Sequence, residues 1–343
     1  MSREINSILI VKIGAIGDVV MSLPMLSLLR QKHPNAHITW LCGKSAAPLV
    51  EAAALTDEML LIDETQLFQR GAGRRILALI AIWRVLFFRR FDLVITAHPD
   101  PRYQLISLFC RKKLHRFFNR RQKRSFPLFG RYHLYEYNRL ADPTEGPLSP
   151  SPSFPKLHLE TTPFLEGFLA SLPSRPIVVV APGGAKNALS DNPLRRWPAS
   201  HYADLLKQLS SLPVNLIVTG AESDHWIEPL LSEITYHNLI GKLSLLELVM
   251  LLKKTKLFIT HDSGPLHLSK LAECPTIALF GPTNPSEKVS PSENIHVFWE
   301  RMPCAPCYDG KKYAQCTQNS CMRNISPAAV AKKASELLFP HKL

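Results

Sequence analysis

The sequence predicts an α/β protein built from two doubly wound domains. Three observations predict it: short β-branched runs alternate with helical periods, the alternation occurs twice, and a proline-rich stretch separates the two series. At 343 residues, with 46% hydrophobic and 20% charged side chains, the chain has room for two domains of about 150 residues each. These proportions are ordinary for a globular enzyme and exclude a disordered chain, a coiled coil or a collagen-like repeat.

The first series reads as strands at Ser7–Lys12, His37–Cys42, Met59–Ile62 and Asp92–Thr96, with helices near Asp18–Lys32, Ser45–Ala53 and Gly73–Arg90. Apolar runs without strict alternation suit strands covered on both faces, as in a parallel sheet with helical crossovers. Ala141–Ser174 carries Pro143, Pro147, Pro150, Pro152, Pro155 and Pro173 around one short helical piece, so it reads as a semi-rigid linker. The second series has strands at Ile177–Ala181, Val214–Thr219, Leu257–His261 and Thr276–Phe280. Its helices lie near Ala199–Leu209, Asp224–Glu233, Ser244–Lys253 and Leu266–Glu273. The expected domains are 1–172 and 173–325. Ile325–Leu338 reads as a last amphipathic helix that can cross back onto the first domain, so 326–343 stands apart. Ligands of open α/β sheets bind outside the carboxyl ends of the strands, which puts the expected active site in a cleft between the domains.

Charge is uneven along the chain. Residues 1–172 hold 23 Lys+Arg against 14 Asp+Glu, a net of +9, and residues 173–343 hold 18 against 14, a net of +4. Much of the excess is the run 111–124, with eight basic side chains and no acid. Such a run implies an anionic partner (nucleic acid, a phospholipid surface or a phosphorylated substrate) or else a merely solvated basic face. No signal peptide or membrane span is read. The apolar stretch Ile76–Phe88, interrupted by Arg84, is too short to cross a bilayer core of ~30 Å and suits a buried or interfacial helix. Trp83, Phe87 and Phe88 read as packing that helix on the sheet. The scattered Cys42, Cys110 and Cys274 fit a reducing compartment, so the expected location is cytoplasmic.

Chemistry concentrates at strand ends. Lys12-Ile13-Gly14-Ala15-Ile16-Gly17-Asp18 follows a strand and opens a helix, but Lys12 stands where a dinucleotide fingerprint needs its first glycine. Asp18 is read either as a general base facing the cleft or as a first-turn acid favoured by the helix dipole. Thr260-His261-Asp262-Ser263-Gly264-Pro265-Leu266-His267 ends a strand and starts a helix with residues that favour such starts. Backbone N–H groups of Ser263, Gly264 and Leu266 there form an anion site suited to a diphosphate, and Gly264 permits close approach. Gly183-Gly184 leads to Arg195, a cation able to neutralise a diphosphate leaving group without a metal. Thr219–Asp224 follows the next strand and offers an acid to ribose hydroxyls.

ILIVKIGAIGDVVMSLPML, PLRRWPASHYADLL and THDSGPLHLSKLAECPTIALFGPTNP together resemble glycosyltransferase family 9, the bacterial lipopolysaccharide heptosyltransferases. The resemblance spans nearly the whole chain. It implies a GT-B fold, with two Rossmann-like domains facing across a cleft, the acceptor on the first and the nucleotide-sugar donor on the second. It implies inverting transfer of a heptose from ADP-heptose to the Kdo-lipid A or heptosyl inner core, with no cofactor or catalytic metal required. By the same resemblance Asp18 is the catalytic base. Asp262, Ser263, Gly264, Leu266, His267 and Arg195 hold the donor diphosphate, and Asp224 and Gly183 the nucleoside. Lys12, Gly17, His98, Arg102, Arg120 and Arg121 are assigned to the acceptor. The loop Ala97–Arg102 departs from the usual Gln-containing pattern, and Arg195 replaces a lysine. The implied setting is a monomer, peripheral on the cytoplasmic face of the inner membrane and drawn to its anionic surface, with no nucleic acid partner.

Cys304, Cys307, Cys316 and Cys321 form a C-x2-C-x8-C-x4-C array that reads as structural zinc, a disulfide or packed free thiols. Three other readings remain: a same-fold transferase using another nucleotide-sugar, a two-lobed NAD(P)-dependent oxidoreductase opposed by Lys12, and a nucleic-acid-binding protein resting only on 111–124.

Overall fold

The computed structural model describes residues 4–68, 71–119, 130–143, 153–185, 191–291, 294–308 and 313–340. The chain forms two compact units, Met1–His158 and Leu159–Leu343. The division falls inside the proline-rich 141–174 stretch.

The first unit is a parallel sheet of β1 (Ser7–Val11), β2 (His37–Gly43), β3 (Glu58–Ile62), β4 (Arg90–Thr96) and β5 (Arg111–Phe117), in the order β3-β2-β1-β4-β5. Its crossovers are α1 (Ile16–Lys32), α2 (Ala47–Ala52), α3 (Glu64–Phe68) and α4 (Ala72–Leu86); α5 (His133–Ala141) packs on α1. Ile8, Leu9, Ile10 and Val11 are all fully buried, as expected of a central strand with both faces covered. Asp92 fastens the amino end of the sheet by accepting from the amides of Asn6 (2.8 Å) and Ser7 (3.1 Å).

The first half of the basic run 111–124 is strand β5. Residues 111–117 form the sheet edge, where charged side chains discourage pairing with other chains. Its cations are also engaged locally. Lys113 pairs with Asp92 (2.7 Å), Lys112 Nζ donates to the Ser107 carbonyl (2.5 Å), and Arg116 donates to the carbonyls of Leu140 and Ala141. Arg120, Arg121 and the rest of the run to 124 lie outside the described residues.

The second unit opens with α6 (Pro163–Ser171) and is a parallel sheet of β6 (Ile177–Ala181), β7 (Asn215–Gly220), β8 (His237–Ile240), β9 (Leu257–His261), β10 (Thr276–Phe280) and β11 (Ile295–Trp299). The order is β11-β10-β9-β6-β7-β8. Helices α7 (Ala199–Ser210), α8 (Leu245–Lys253) and α9 (Gly264–Leu271) connect strands; α10 (Ser320–Arg323) and α11 (Pro327–Leu338) close the chain. Residues 222–231 form 3-10 turns where an α-helix is expected, with Pro229 inside them. Strands β8 and β11 are the edges that the sequence reading passes over. Helix α11 packs on α7: Val330 and Ala334 join Leu205 and Leu209 in one buried cluster. Trp197 Nε1 donates to the Ile325 carbonyl (3.1 Å) and fixes the approach to that helix.

Leu209→Ala tests this packing, since the side chain is fully buried in that cluster. The expected loss is about 2–5 kcal/mol in urea unfolding. A loss near zero would mean that α11 does not cover α7.

Candidate active site

Each sheet reverses its strand order once. In the first unit the chain runs outward from β1 through β2 to β3, then restarts with β4 on the other side of β1; in the second, β6 and β9 stand in the same relation. Such a switch point leaves a crevice at the strand carboxyl ends, the place where open α/β sheets take ligands.

At the first crevice, Lys12 leaves β1 and is fully buried. Its ammonium donates to Tyr137 Oη (3.0 Å), lies 4.9 Å from that ring's centre and stands 3.6 Å from Asp18 Oδ2. Trp40 Nε1 donates to the Lys12 carbonyl (3.0 Å). Asp18 lies in the first turn of α1, where the helix dipole favours an anion, and remains 34% exposed. Tyr137 is the residue that sequence reasoning missed. It comes from α5, a short amphipathic helix whose buried face Leu134, Tyr137, Leu140 and Ala141 was the available signal. Burial first, then the neighbouring Asp18, push its hydroxyl well above the usual phenol range, so it stays a donor.

His98, just past β4, stacks on Tyr103 with ring centres 3.7 Å apart, and its Nδ1 accepts from the Asp100 amide (3.0 Å). Burial, then the charge of Lys12, hold its pKa down to about 3. The ring is therefore neutral, and acceptance at Nδ1 leaves its proton on Nε2. Gly17 is buried in the first turn of α1. Arg102 is not drawn into this group of side chains; it is 79% exposed and turns back on Asp100.

At the second crevice, Asp262 follows β9 and is almost wholly buried. Its Oδ1 lies 3.0 Å from an Arg195 guanidinium nitrogen, and its Oδ2 accepts from Thr283 Oγ1 (2.7 Å). Arg195 and Thr283 hold its carboxyl below the ordinary range despite the burial, which alone would raise it. Arg195 keeps 20% exposure. Asp262 thus anchors the Arg195 guanidinium from behind the start of α9. Ser263 is the N-cap of α9 with extended backbone, and its buried Oγ has no hydrogen-bond partner among the described residues. Leu266 and His267 are both buried. The Leu266 side chain packs with Ala278 and Phe280, which leaves only its amide for a ligand.

The glycine loop closes over this helix start. Gly184 has φ +94°, and a Cβ there would lie 3.1 Å from Ser263 Cβ, so glycine is required on both counts. A Cβ at Gly183 would meet the Asp224 carboxylate at 2.0 Å. Asp224 departs from the role expected of it. It is 5% exposed, and its oxygens accept from the amides of Gly184 (3.3 Å) and Ala221 (2.8 Å), tying together the loops after β6 and β7. The outward acid at that strand end is Glu222, 84% exposed.

The model of glycosyltransferase family 9 (heptosyltransferase) matches residues 90–318, more than half of the chain. The chain belongs to glycosyltransferase family 9. Lipooligosaccharide heptosyltransferase 2 of Campylobacter jejuni is 32% identical over 152 residues, 42% of this chain; the match spans 47%, about half, of that relative's length. Lipooligosaccharide heptosyltransferase 2 of Haemophilus influenzae is 26% identical over 310 residues, covering 81% of this chain and 84% of the relative. The structure of Escherichia coli ADP-heptose lipopolysaccharide heptosyltransferase II superposes with a TM-score of 0.72 at 20% identity, over 98% of this chain and 100% of that one. The fold is therefore the GT-B fold of this family 9 neighbour. The family match includes Arg195, Asp224 and 262–267 and leaves Lys12 and Asp18 outside it.

All four cysteines of the C-terminal array are free thiols, Cys321 buried and Cys304 and Cys316 exposed, and among the described residues no three His, Cys, Asp or Glu side chains are placed to hold an ion. They are neighbours all the same: burial and then Cys307, Cys316 and Cys304 push the Cys321 thiol up.

The buried neutral histidines give the fold a pH dependence. His261 donates to or accepts from Tyr202 Oη (3.0 Å), and burial, then Arg195, lower its pKa to about 3. Below pH 6.5 the unfolded chain takes a proton that the folded one refuses, so stability falls as the pH drops from 6.5 to about 3. Thermal unfolding of His261→Asn should fall less steeply across that window than wild type. An unchanged slope would mean that His261 charges inside the fold.

Proposed function

We propose that this chain transfers a heptose from ADP-heptose to the inner core of lipopolysaccharide, with inversion and without a catalytic metal. The observation that carries the reading is the partly exposed Asp18 carboxylate, held by buried Lys12 and Tyr137 at the crevice of the first unit. A sugar hydroxyl is far too weak an acid to ionise at neutral pH, so its attack needs a base that takes the proton as the bond forms. Asp18 accepts that proton, the acceptor oxygen bonds the anomeric carbon, and the bond to the ADP phosphate oxygen breaks. His98 offers its Nε2 proton to the acceptor. The first-turn amides of α9, the unpartnered Ser263 hydroxyl and Arg195 receive the diphosphate as its charge grows, which supports departure without a divalent cation. Glu222 meets the ribose, in place of Asp224. The acceptor is lipid-linked, so the enzyme works at the cytoplasmic face of an anionic membrane.

Asp18→Asn should lower kcat by about 10²–10⁴-fold with unchanged affinity for ADP. It also strips the buried Lys12 of its counter-charge, so Tm should fall. Lys12→Met added to Asp18→Asn should restore Tm and leave turnover low. Recovery of turnover along with Tm would make Asp18 a structural partner of Lys12.

Gly264→Val should abolish ADP binding by calorimetry while the second unit still melts cooperatively, and transfer should persist in excess EDTA. ADP binding at wild-type affinity would move the donor site away from α9.

A further inference from the structure

Helix α4 is apolar nearly all round. Ile82 and Leu86 bury one side of it in the first unit's core, yet Ile76 (55%), Leu77 (66%), Ile80 (40%) and Val85 (51%) face solvent. The surface continues past the helix through Phe87 and Phe88 and across to Leu105, Leu108 and Phe109. Phe109 joins the two parts, 4.9 Å from the Trp83 ring centre and 6.2 Å from that of Phe87, and Trp83 Nε1 donates to the Leu105 carbonyl (2.8 Å). Among the described residues, nine of the fifteen exposed large hydrophobic side chains lie between 76 and 109. They form one face, where scattered single exposures would need no explanation. The expectation that Phe87 and Phe88 pack on the sheet is corrected here.

Phe88 sharpens the point. It holds φ +66° just after the helix, a left-handed position that suits glycine and strains a phenylalanine, and its ring is 72% exposed. Strain accepted to hold an aromatic ring in water has no folding benefit. The charges around the face are of one sign. From residue 65 to 91 and from 101 to 135 the sequence contains no acid. Exposed Arg74, Arg75, Arg84, Arg90 and Arg111 border or interrupt the apolar surface. Behind the helix, an apolar cleft of about 280 Å³ between β3 and α4, lined by Leu61, Ala78 and Val85 among others, continues it.

We propose that α4, Phe87-Phe88 and Leu108-Phe109 form the surface by which this protein inserts into an anionic lipid bilayer. Apolar side chains enter to the acyl boundary while the arginines stay at the headgroups, as in helices that lie in the membrane interface. A crossover helix runs antiparallel to its strands, so α4 starts at the carboxyl ends, where Asp18 and His98 lie, and carries the face to Phe87-Phe88 and Leu108-Phe109 at the amino ends of β4 and β5. The inference rests on the lipid-linked acceptor proposed above, and its test uses neither donor nor acceptor.

The full chain is sedimented with vesicles of phosphatidylcholine alone or with phosphatidylglycerol added. Binding should require the anionic lipid, and brominated lipid should quench Trp83, with quenching lost in Trp83→Phe. Phe88→Gly relieves the strained position, so Tm should hold or rise while vesicle affinity drops about tenfold, and Phe109→Ser should weaken it comparably. Vesicle binding unchanged in both variants overturns the proposal. So does a self-association that Phe88→Gly abolishes with vesicle binding intact, because a second copy would then cover the face. Transfer lost while vesicle binding survives would instead count against the proposed reaction.

Discussion

Each of the two sheets carries at its switch point an ion pair with one buried member and one member that still meets water. In the first unit the buried charge is Lys12 and the outer one Asp18; in the second the buried charge is Asp262 and the outer one Arg195. A buried charge left alone is costly, so each inner residue fixes the position of the outer one through electrostatic necessity. The arrangement turns desolvation into preorganisation. The side chain able to touch a ligand is held from behind by a partner that cannot relax into solvent, and it needs little rearrangement when a substrate arrives.

The same logic separates the carboxylates of the molecule by function. Asp224 and Asp262 have their oxygens on amides, a hydroxyl or a guanidinium, and both are nearly inaccessible. Asp92 fastens a strand end in the same way. These acids are the mortar of the loops, and their charge is consumed by the groups they hold. Asp18 and Glu222 remain open to water, and only acids of this kind can exchange a proton or a hydrogen bond with a sugar. Family resemblance places Asp224 at the nucleoside; its environment places it one layer beneath. Sequence alone cannot separate those layers, because the deciding fact is where two backbone amides point.

Legibility followed apolar periodicity. The central strands β1, β6, β9 and β10 were readable to within a residue because strands covered on both faces are continuous runs of Val, Ile and Leu. Three of the four edge strands, β5, β8 and β11, were not, since an edge needs no such run: β5 is RKKLHRF and β8 is HNLI, whereas the fourth edge, β3, carries MLLI and was readable. The site was legible where a strand end, a glycine and a helix start coincide, as at Asp262–Gly264 and Lys12–Asp18. Tyr137 was invisible, because it reaches Lys12 from 125 residues away by the packing of α5 on α1.

The apolar face of α4 shows the converse limit. A helix of Ile, Leu, Ala and Trp reads as buried, and half of it is. What distinguishes it from a core helix is that, among the described residues, no second layer of chain covers its outer side. After α4 the described chain of the first unit continues with β4, a short turn whose outer residues are Leu105, Leu108 and Phe109, the basic edge strand β5, and α5, which packs on α1. The cations of that edge are spent within the fold: Lys112 on a carbonyl, Lys113 on Asp92 and Arg116 on the end of α5. Exposed arginines stand beside the uncovered apolar residues, where a single lipid surface satisfies both at once.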